Sequence, residues 1–187
     1  MIESAQRFFV LTGGPGSGKS TLVEALEQLG YSRTIEAGRG IIQDQVAIGG
    51  RALPWTDPLI FSELMLSWEM RSYRMAQDRI GLVFFDRGVP DVVGYVRLLG
   101  LPMPAYMERA ARTFPYNRHV FIAPPWPEIF ESDRERKQDF DEAVRTYEAL
   151  VAAYAAYNYE LVEIPRAPVE ERVRFVLHNV RNLGIAT

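Results

Sequence analysis

The chain has 187 residues, 48% hydrophobic and 24% charged, a balance that suits one globular domain and excludes global disorder. It contains no cysteine, which excludes disulfides, thiolate metal ligands and a cysteine nucleophile. A net charge of -3 argues against a broad electrostatic nucleic-acid surface. Of the 21 basic residues only Lys19 and Lys137 are lysine, a bias that a genome-wide preference for arginine explains.

Met1 to Arg7 is mixed polar, and the apolar run Phe8 to Leu11 is too short for a signal-peptide core. That run reads instead as a buried strand ending in a glycine turn. Leu22, Ala25, Leu26 and Leu29 then repeat at helical spacing, with Gly30 suited to the helix end. Ser32 to Glu36 fits a second strand. Thr56-Asp57-Pro58 is a helix start with a capping residue and a first-turn proline, and the helical pattern runs to about Arg79. Leu82-Val83-Phe84-Phe85, ending on Asp86, suits a strand covered on both faces. His119 to Ile122 and Leu161 to Ile164 are two more such runs, and helices are expected over 89–99, 104–113, 139–157 and 168–182. The longest apolar stretch, Ala149 to Tyr157, is far below the ~20 residues that span a bilayer, so a cytoplasmic protein without a membrane partner is expected. No repeat or linker divides the chain, and alternating strands and helices predict a parallel sheet flanked by helices in a single α/β domain over 1–187.

Gly13-Gly14-Pro15-Gly16-Ser17-Gly18-Lys19-Ser20 fits the phosphate-loop pattern G-x-x-x-x-G-K-[ST], with a strand before it and a helix after. Its glycines let the backbone curl so that N–H groups point at phosphate oxygens, and the helix N-terminus adds positive potential. Lys19 is expected on the β- and γ-phosphates of ATP, Ser20 on Mg²⁺, and Thr21 completes the nucleotide-binding segment. Asp86, at a strand end, is the expected second Mg²⁺ ligand. Arg87 follows it and could clamp a substrate oxyanion or simply form a salt bridge.

These residues resemble the small P-loop kinases of the thymidylate, deoxynucleoside and nicotinamide riboside kinase type. Over nearly its full length the chain is similar to a group of predicted ATPases, AAA-type in name, related to those kinases. The resemblance rests on Gly13 to Thr21, Ile35-Glu36-Ala37-Gly38-Arg39, Phe85-Asp86-Arg87-Gly88, Ala123-Pro124-Pro125-Trp126 and Asp133 to Asp139. It implies a three-layer P-loop NTPase fold with a five-stranded parallel sheet of order 2-3-1-4-5 and a mobile lid at about 127–139. Arg134, Arg136 and Lys137 would lie in that lid, where Arg134 and Arg136 could neutralise charge on the transferring phosphoryl group; a solvated charged helix is the alternative.

The resemblance also implies that Glu36 takes the proton of an attacking hydroxyl, against the alternative of a helix-start carboxylate. Deoxynucleoside kinases follow that acid with proline, whereas Ala37-Gly38-Arg39 follows here, so their acceptor does not carry over. Arg39, Trp55, Arg87, Asp91 and Tyr95 are candidates for the acceptor pocket, with Phe61 beside them. Trp126 is expected to pack at the lid hinge, and the loop Pro165 to Pro168 lies where related kinases hold adenine. His119 and His178 are isolated and assigned to no metal.

Two functions follow. The first is a kinase moving the γ-phosphoryl group of ATP·Mg²⁺ to a nucleoside, nucleotide or related metabolite. The alternative is an ATP-hydrolysing switch acting through a protein partner. Asp91-Val92-Val93-Gly94 matches D-x-x-G, but no N-K-x-D motif accompanies it, which disfavours a GTPase. Nothing in the pattern specifies an oligomeric state.

Overall fold

The computed structural model describes residues 5–130 and 139–184. Its five strands are β1 (Phe8–Gly13), β2 (Ser32–Arg33), β3 (Val83–Asp86), β4 (His119–Ala123) and β5 (Glu160–Glu163). They form one sheet in the order β2-β3-β1-β4-β5, with every pairing parallel. The helices are α1 (Lys19–Gln28), α2 (Ala37–Ile48), α3 (Pro58–Gln77), α4 (Val89–Leu98), α5 (Ala105–Thr113), α6 (Phe140–Ala156) and α7 (Val169–Asn182). The predicted sheet order and the helices on both faces are as expected.

Strand alternation builds the two layers. Phe8 and Val10 of β1 face a core with Tyr73 of α3, Phe85 of β3, Val93 of α4 and Tyr154 of α6. Phe9 and Leu11 face the opposite core, with Leu22 and Leu26 of α1, Phe121 of β4 and Val176 of α7. All six residues of β1 are buried, which explains its continuous apolar run. A third, smaller cluster joins Ala37, Ile41 and Ile42 of α2 to Phe61 of α3 and Leu53.

Asp57 caps α3 by accepting from the Ile60 N–H at 3.1 Å, as its position before Pro58 predicts. That bond, and then the Arg51 side chain, lower the Asp57 pKa. The second strand is shorter than the expected 32–36: it ends at Arg33, and Glu36 becomes the residue before α2. Two glycines, Gly38 and Gly40, stand in the first turn of α2 and mask its helical pattern. Gly40 lets α2 lie close to α3, since a Cβ there would sit 3.0 Å from the Trp68 ring and press on it. Gly94 lets α4 approach α6, since a Cβ would sit 3.0 Å from Leu150 and 3.4 Å from Ala153. Among the described residues no helix is long and apolar enough to cross a membrane.

Candidate active site

The carboxyl ends of β1 and β3 meet at the middle of the sheet, where open parallel folds form their binding crevice. The loop after β1 runs from Gly13 to Gly18, with φ of +68° at Gly16 and +72° at Gly18, where glycine is favoured. Gly18 precedes α1 and no side chain caps that helix, so its first N–H groups are not taken by a side-chain cap. Ser17 Oγ donates to the Gly14 carbonyl at 2.8 Å and closes the loop. From outside, Arg172 of α7 donates to the carbonyls of Gly18 and Ser17, both at 3.1 Å. Its guanidinium also lies over the Trp126 ring, 5.9 Å from the centroid. Trp126 therefore packs on the arginine that braces the loop.

Lys19 is buried, and its Nζ donates to the Gly14 carbonyl at 3.4 Å. Ser20 and Thr21 follow on exposed positions of α1. Asp86 ends β3 and is only 4% exposed. Its Oδ1 has no hydrogen-bond partner among the described residues. Burial raises its carboxyl pKa, and the Lys19 charge pulls it back. A curled glycine loop, an uncapped helix start, a buried lysine and an orphaned buried carboxylate oxygen fit a nucleotide phosphate with Mg²⁺. Among the described residues no group of three or more His, Asp or Glu side chains could hold a metal.

Arg87 follows at φ +75°, a strained value for a non-glycine residue. Three contacts hold it there. Its N–H donates to the Leu11 carbonyl at 3.0 Å, its Nε to Glu36 Oε1 at 3.1 Å, and its Nη1 to Asp91 Oδ1 at 3.3 Å. Burial alone would lower its pKa, but the carboxylates of Glu36, Asp91 and Asp86 outweigh burial and raise it. Glu36 thus stands at the helix start, and its carboxylate reaches across to Arg87.

Asp91 is the centre of this network. Its Oδ1 accepts from Thr12 Oγ1 at 2.5 Å as well as from Arg87, and its Oδ2 accepts from the Gly88 N–H at 2.9 Å and from Tyr154 Oη at 2.5 Å. Burial and the Asp91 charge hold the Tyr154 phenol well above its usual pKa. One carboxylate therefore ties β1, the end of β3, α4 and α6 together.

Beside the network opens a cavity of about 860 Å³, whose lining includes Pro15 of the loop together with Glu36, Arg87 and Asp91. Tyr95 and Trp55 are among its lining residues, with Trp55 62% exposed and so at its rim. Arg39 is exposed on α2 and stands outside the lining, while its neighbours Ala37 and Gly38 are part of it. Phe61 packs edge-on against Tyr95 with ring centroids 5.7 Å apart. Arg134, Arg136 and Lys137 lie outside the described residues. Pro165 to Pro168 forms the exposed turn between β5 and α7. Of the histidines, His119 contacts Glu160 at 3.0 Å and His178 contacts Asn182 at 3.0 Å.

Several site residues have no motif to announce them. Glu69 of α3 is 2% exposed, lines the cavity, and has an unpartnered Oε2. Burial, with help from Asp91, raises its pKa well above the ordinary value. The signal was available: Leu66, Glu69, Tyr73 and Ala76 recur at helical spacing, which puts the acid on the buried face. Thr146 and Glu142 of α6 also line the cavity, and only the placement of α6 against α4 reveals them.

A family model described as an AAA domain matches residues 8–172. The chain belongs to this AAA-domain family. A comparison with curated proteins finds no match. Among solved structures, the NadR protein in complex with NR superposes with a TM-score of 0.71 at 16% identity, covering 94% of this chain and 50% of that one. The AAA-domain chain therefore spans half the length of that NadR chain. Deoxyadenosine kinase from M. mycoides, with products dCMP and dCDP, gives 0.61 at 14% identity over 94% of this chain and 99% of its own. Thymidylate kinase from Ehrlichia chaffeensis gives 0.61 at 16% identity over 95% and 99%. At these identities the likeness is one of fold, and the fold is that of the P-loop kinases.

Proposed function

We propose that this protein is a small-molecule kinase that transfers the γ-phosphoryl group of ATP to an oxygen of a nucleoside, nucleotide or related metabolite. The observation that carries this reading is the cavity: it opens beside the phosphate loop and is walled by Glu36 and Arg87. A nucleotide hydrolase needs space for water there, not about 860 Å³ of largely apolar pocket.

The loop amides, Gly13 to Gly18, and Lys19 would hold the phosphates, and Ser20 with Asp86 would hold Mg²⁺. When bound, the metal supplies charge neutralisation at the phosphates. The acceptor hydroxyl enters the cavity, its oxygen bonds to the γ-phosphorus as the bond to the β-phosphate oxygen breaks, and its proton passes to Glu36. Arg87 orients that carboxylate through its Nε. Arg134 and Arg136 are proposed to add positive charge during transfer.

The test is ADP release from ATP and Mg²⁺ with and without a pooled metabolite library. Acceptor-dependent turnover is expected, lost in Lys19→Ala and Asp86→Ala. Glu36→Gln should lower kcat by ~10²–10⁴ with ATP affinity retained. Turnover that ignores the pool and rises with a protein partner would overturn the reading in favour of a regulatory ATPase.

A further inference from the structure

The cavity beside the phosphate loop changes character along its length, and three helices record the same change. Helix α2 starts after Glu36 and puts Gly38, Ile42 and Val46 on the lining, every fourth residue and so one stripe. Exposure along that stripe rises from 5% at Ile42 to 60% at Val46. Helix α4 follows Arg87, carries Asp91 in its first turn, and lines the cavity through Tyr95 to Leu98 and the exposed Leu99 at its end. Helix α3 runs back toward the site. Its side of the lining passes from the exposed Trp55, through Phe61 and Met65, to Glu69. The charges of Asp91, Asp86, Arg87 and Glu36 act on Glu69, which sets it at their end of the cavity. Glu142 of α6 belongs to that end too, because the next residue, Ala143, lies against Gly14 of the phosphate loop.

The cavity is therefore polar beside the phosphate loop and apolar where it opens. From Gly38 to Val46 the helix rises about 12 Å. Between the two ends, the polar atoms on the described lining side chains are the hydroxyls of Tyr95 and Thr146, and both are buried. A nucleobase brings several polar edge atoms, each of which costs free energy to bury against such a wall. A hydrocarbon chain brings none, and every methylene it buries adds to binding. The same chain would cover Val46, Trp55 and Leu99, three exposed apolar side chains gathered at one mouth. At about 860 Å³ the cavity stands near the top of the ~300–1,000 Å³ range of small-molecule sites, which leaves room for a head group and a chain together.

We propose that the acceptor is a lipid-like alcohol, with its hydroxyl beside Glu36 and its hydrocarbon chain running between α2, α3 and α4 to the mouth at Val46, Trp55 and Leu99. Its oxygen bonds to the γ-phosphorus while the bond to the β-phosphate oxygen breaks and its electron pair leaves on ADP. The hydroxyl proton passes to Glu36, and the product is the phosphate monoester of the alcohol. This rests on the kinase reading and, of its acceptor classes, selects a related metabolite that carries a hydrocarbon chain over a free nucleoside or nucleotide.

The experiment parts a cell extract between chloroform–methanol and water, and supplies each phase, dried and redispersed, to the full chain with ATP and Mg²⁺. Acceptor-dependent ADP release is expected from the organic phase, whereas nucleosides and nucleotides stay in the water. Release from the aqueous phase alone, or equally from both, overturns the inference and leaves the kinase reading standing. Release from neither overturns the kinase reading itself, and the inference with it. Linear primary alcohols from butanol to dodecanol should compete with the active acceptor, the inhibition constant falling about 4-fold per added methylene until the chain reaches the mouth and then levelling. An inhibition constant independent of chain length overturns the inference. Val46→Glu, at an exposed position, should raise the acceptor KM roughly 10-fold while the KM for ATP stays in place. An acceptor KM unmoved by that charge at the mouth overturns the path of the chain, and the proposal with it.

Discussion

Replacing Asp91 with asparagine keeps the shape of the side chain and changes one oxygen into an NH₂ group. In the wild type each oxygen serves one hydroxyl and one fixed N–H: Oδ1 serves Thr12 and Arg87, Oδ2 serves Tyr154 and the Gly88 backbone. The hydroxyls can turn to accept, but the arginine and the peptide N–H cannot. Either orientation of the amide therefore sets a donor against a donor, and the buried Arg87 loses part of its counter-charge. Losing a hydrogen bond to a charged group costs about 1.5–3 kcal/mol, and leaving a buried charge short of its partner costs about 3–5 kcal/mol. We expect Asp91→Asn to destabilise the fold by about 3–5 kcal/mol in urea unfolding, a large share of the ~5–15 kcal/mol that holds a domain. Tyr154→Phe should cost about 1.5–3 kcal/mol, and the double variant should cost less than the sum, because the bond that phenylalanine deletes is already weakened once the carboxylate charge is gone. An Asp91→Asn cost below about 1 kcal/mol, with kinetics altered only in the acceptor KM, would refute the structural reading and return Asp91 to the role of an acceptor ligand.

Glu69 gives a pH signature. Its folded pKa is raised above the ordinary 4.5, chiefly by burial, so the folded state holds the proton more tightly than the unfolded chain. Its contribution is fully present below the unfolded pKa and is lost as pH rises through the folded value. Glu69→Gln should flatten that decline, and the variant should be the more stable protein at pH 8, as read by chemical denaturation across pH; a parallel decline in both proteins would show that other groups cause it. Arg172→Ala removes two bonds to the phosphate-loop carbonyls and should cost about 2–4 kcal/mol of stability while weakening ATP binding, measured by calorimetry. Gly94→Val should cost about 1–3 kcal/mol by forcing α4 off Leu150 and Ala153, with the loss seen in thermal unfolding.

The sheet was legible because its strands are buried on both faces and read as apolar runs: β1 and β3 need no partner to be recognised. The phosphate loop was legible because its glycines and lysine answer a fixed ligand geometry. Helix α2 was not, because Gly38 and Gly40 serve cavity lining and a Trp68 contact rather than helix propensity. Asp91 and Tyr95 were legible as candidates by type, but their different surroundings emerge only in three dimensions. One is held by four donors, whereas the hydroxyl of the other has none among the described residues. Sequence spacing along α4 puts both on related turns and cannot separate a carboxylate that holds the fold from a phenol that faces a cavity.

That separation explains the strained Arg87. A left-handed arginine directly after the buried Asp86 is unfavourable on its own, by about 1–3 kcal/mol. It persists because Asp91 is anchored independently by Thr12 on the loop strand and by Tyr154 on α6, so the arginine meets a partner already fixed in place. Glu36 is then fixed by the arginine in turn. The order of dependence runs from core to cavity: the Asp91 anchor, the Arg87 clamp, the Glu36 carboxylate. Loss of Glu36 should therefore leave the anchor intact while taking one counter-charge from Arg87 and the base from the chemistry, whereas loss of Asp91 should disturb everything above it. A Glu36→Gln protein with a small loss of stability and a fallen kcat, set beside an Asp91→Asn protein with a clearly larger loss of stability, would establish that direction; equal losses of stability in the two would show a mutual network with no such order.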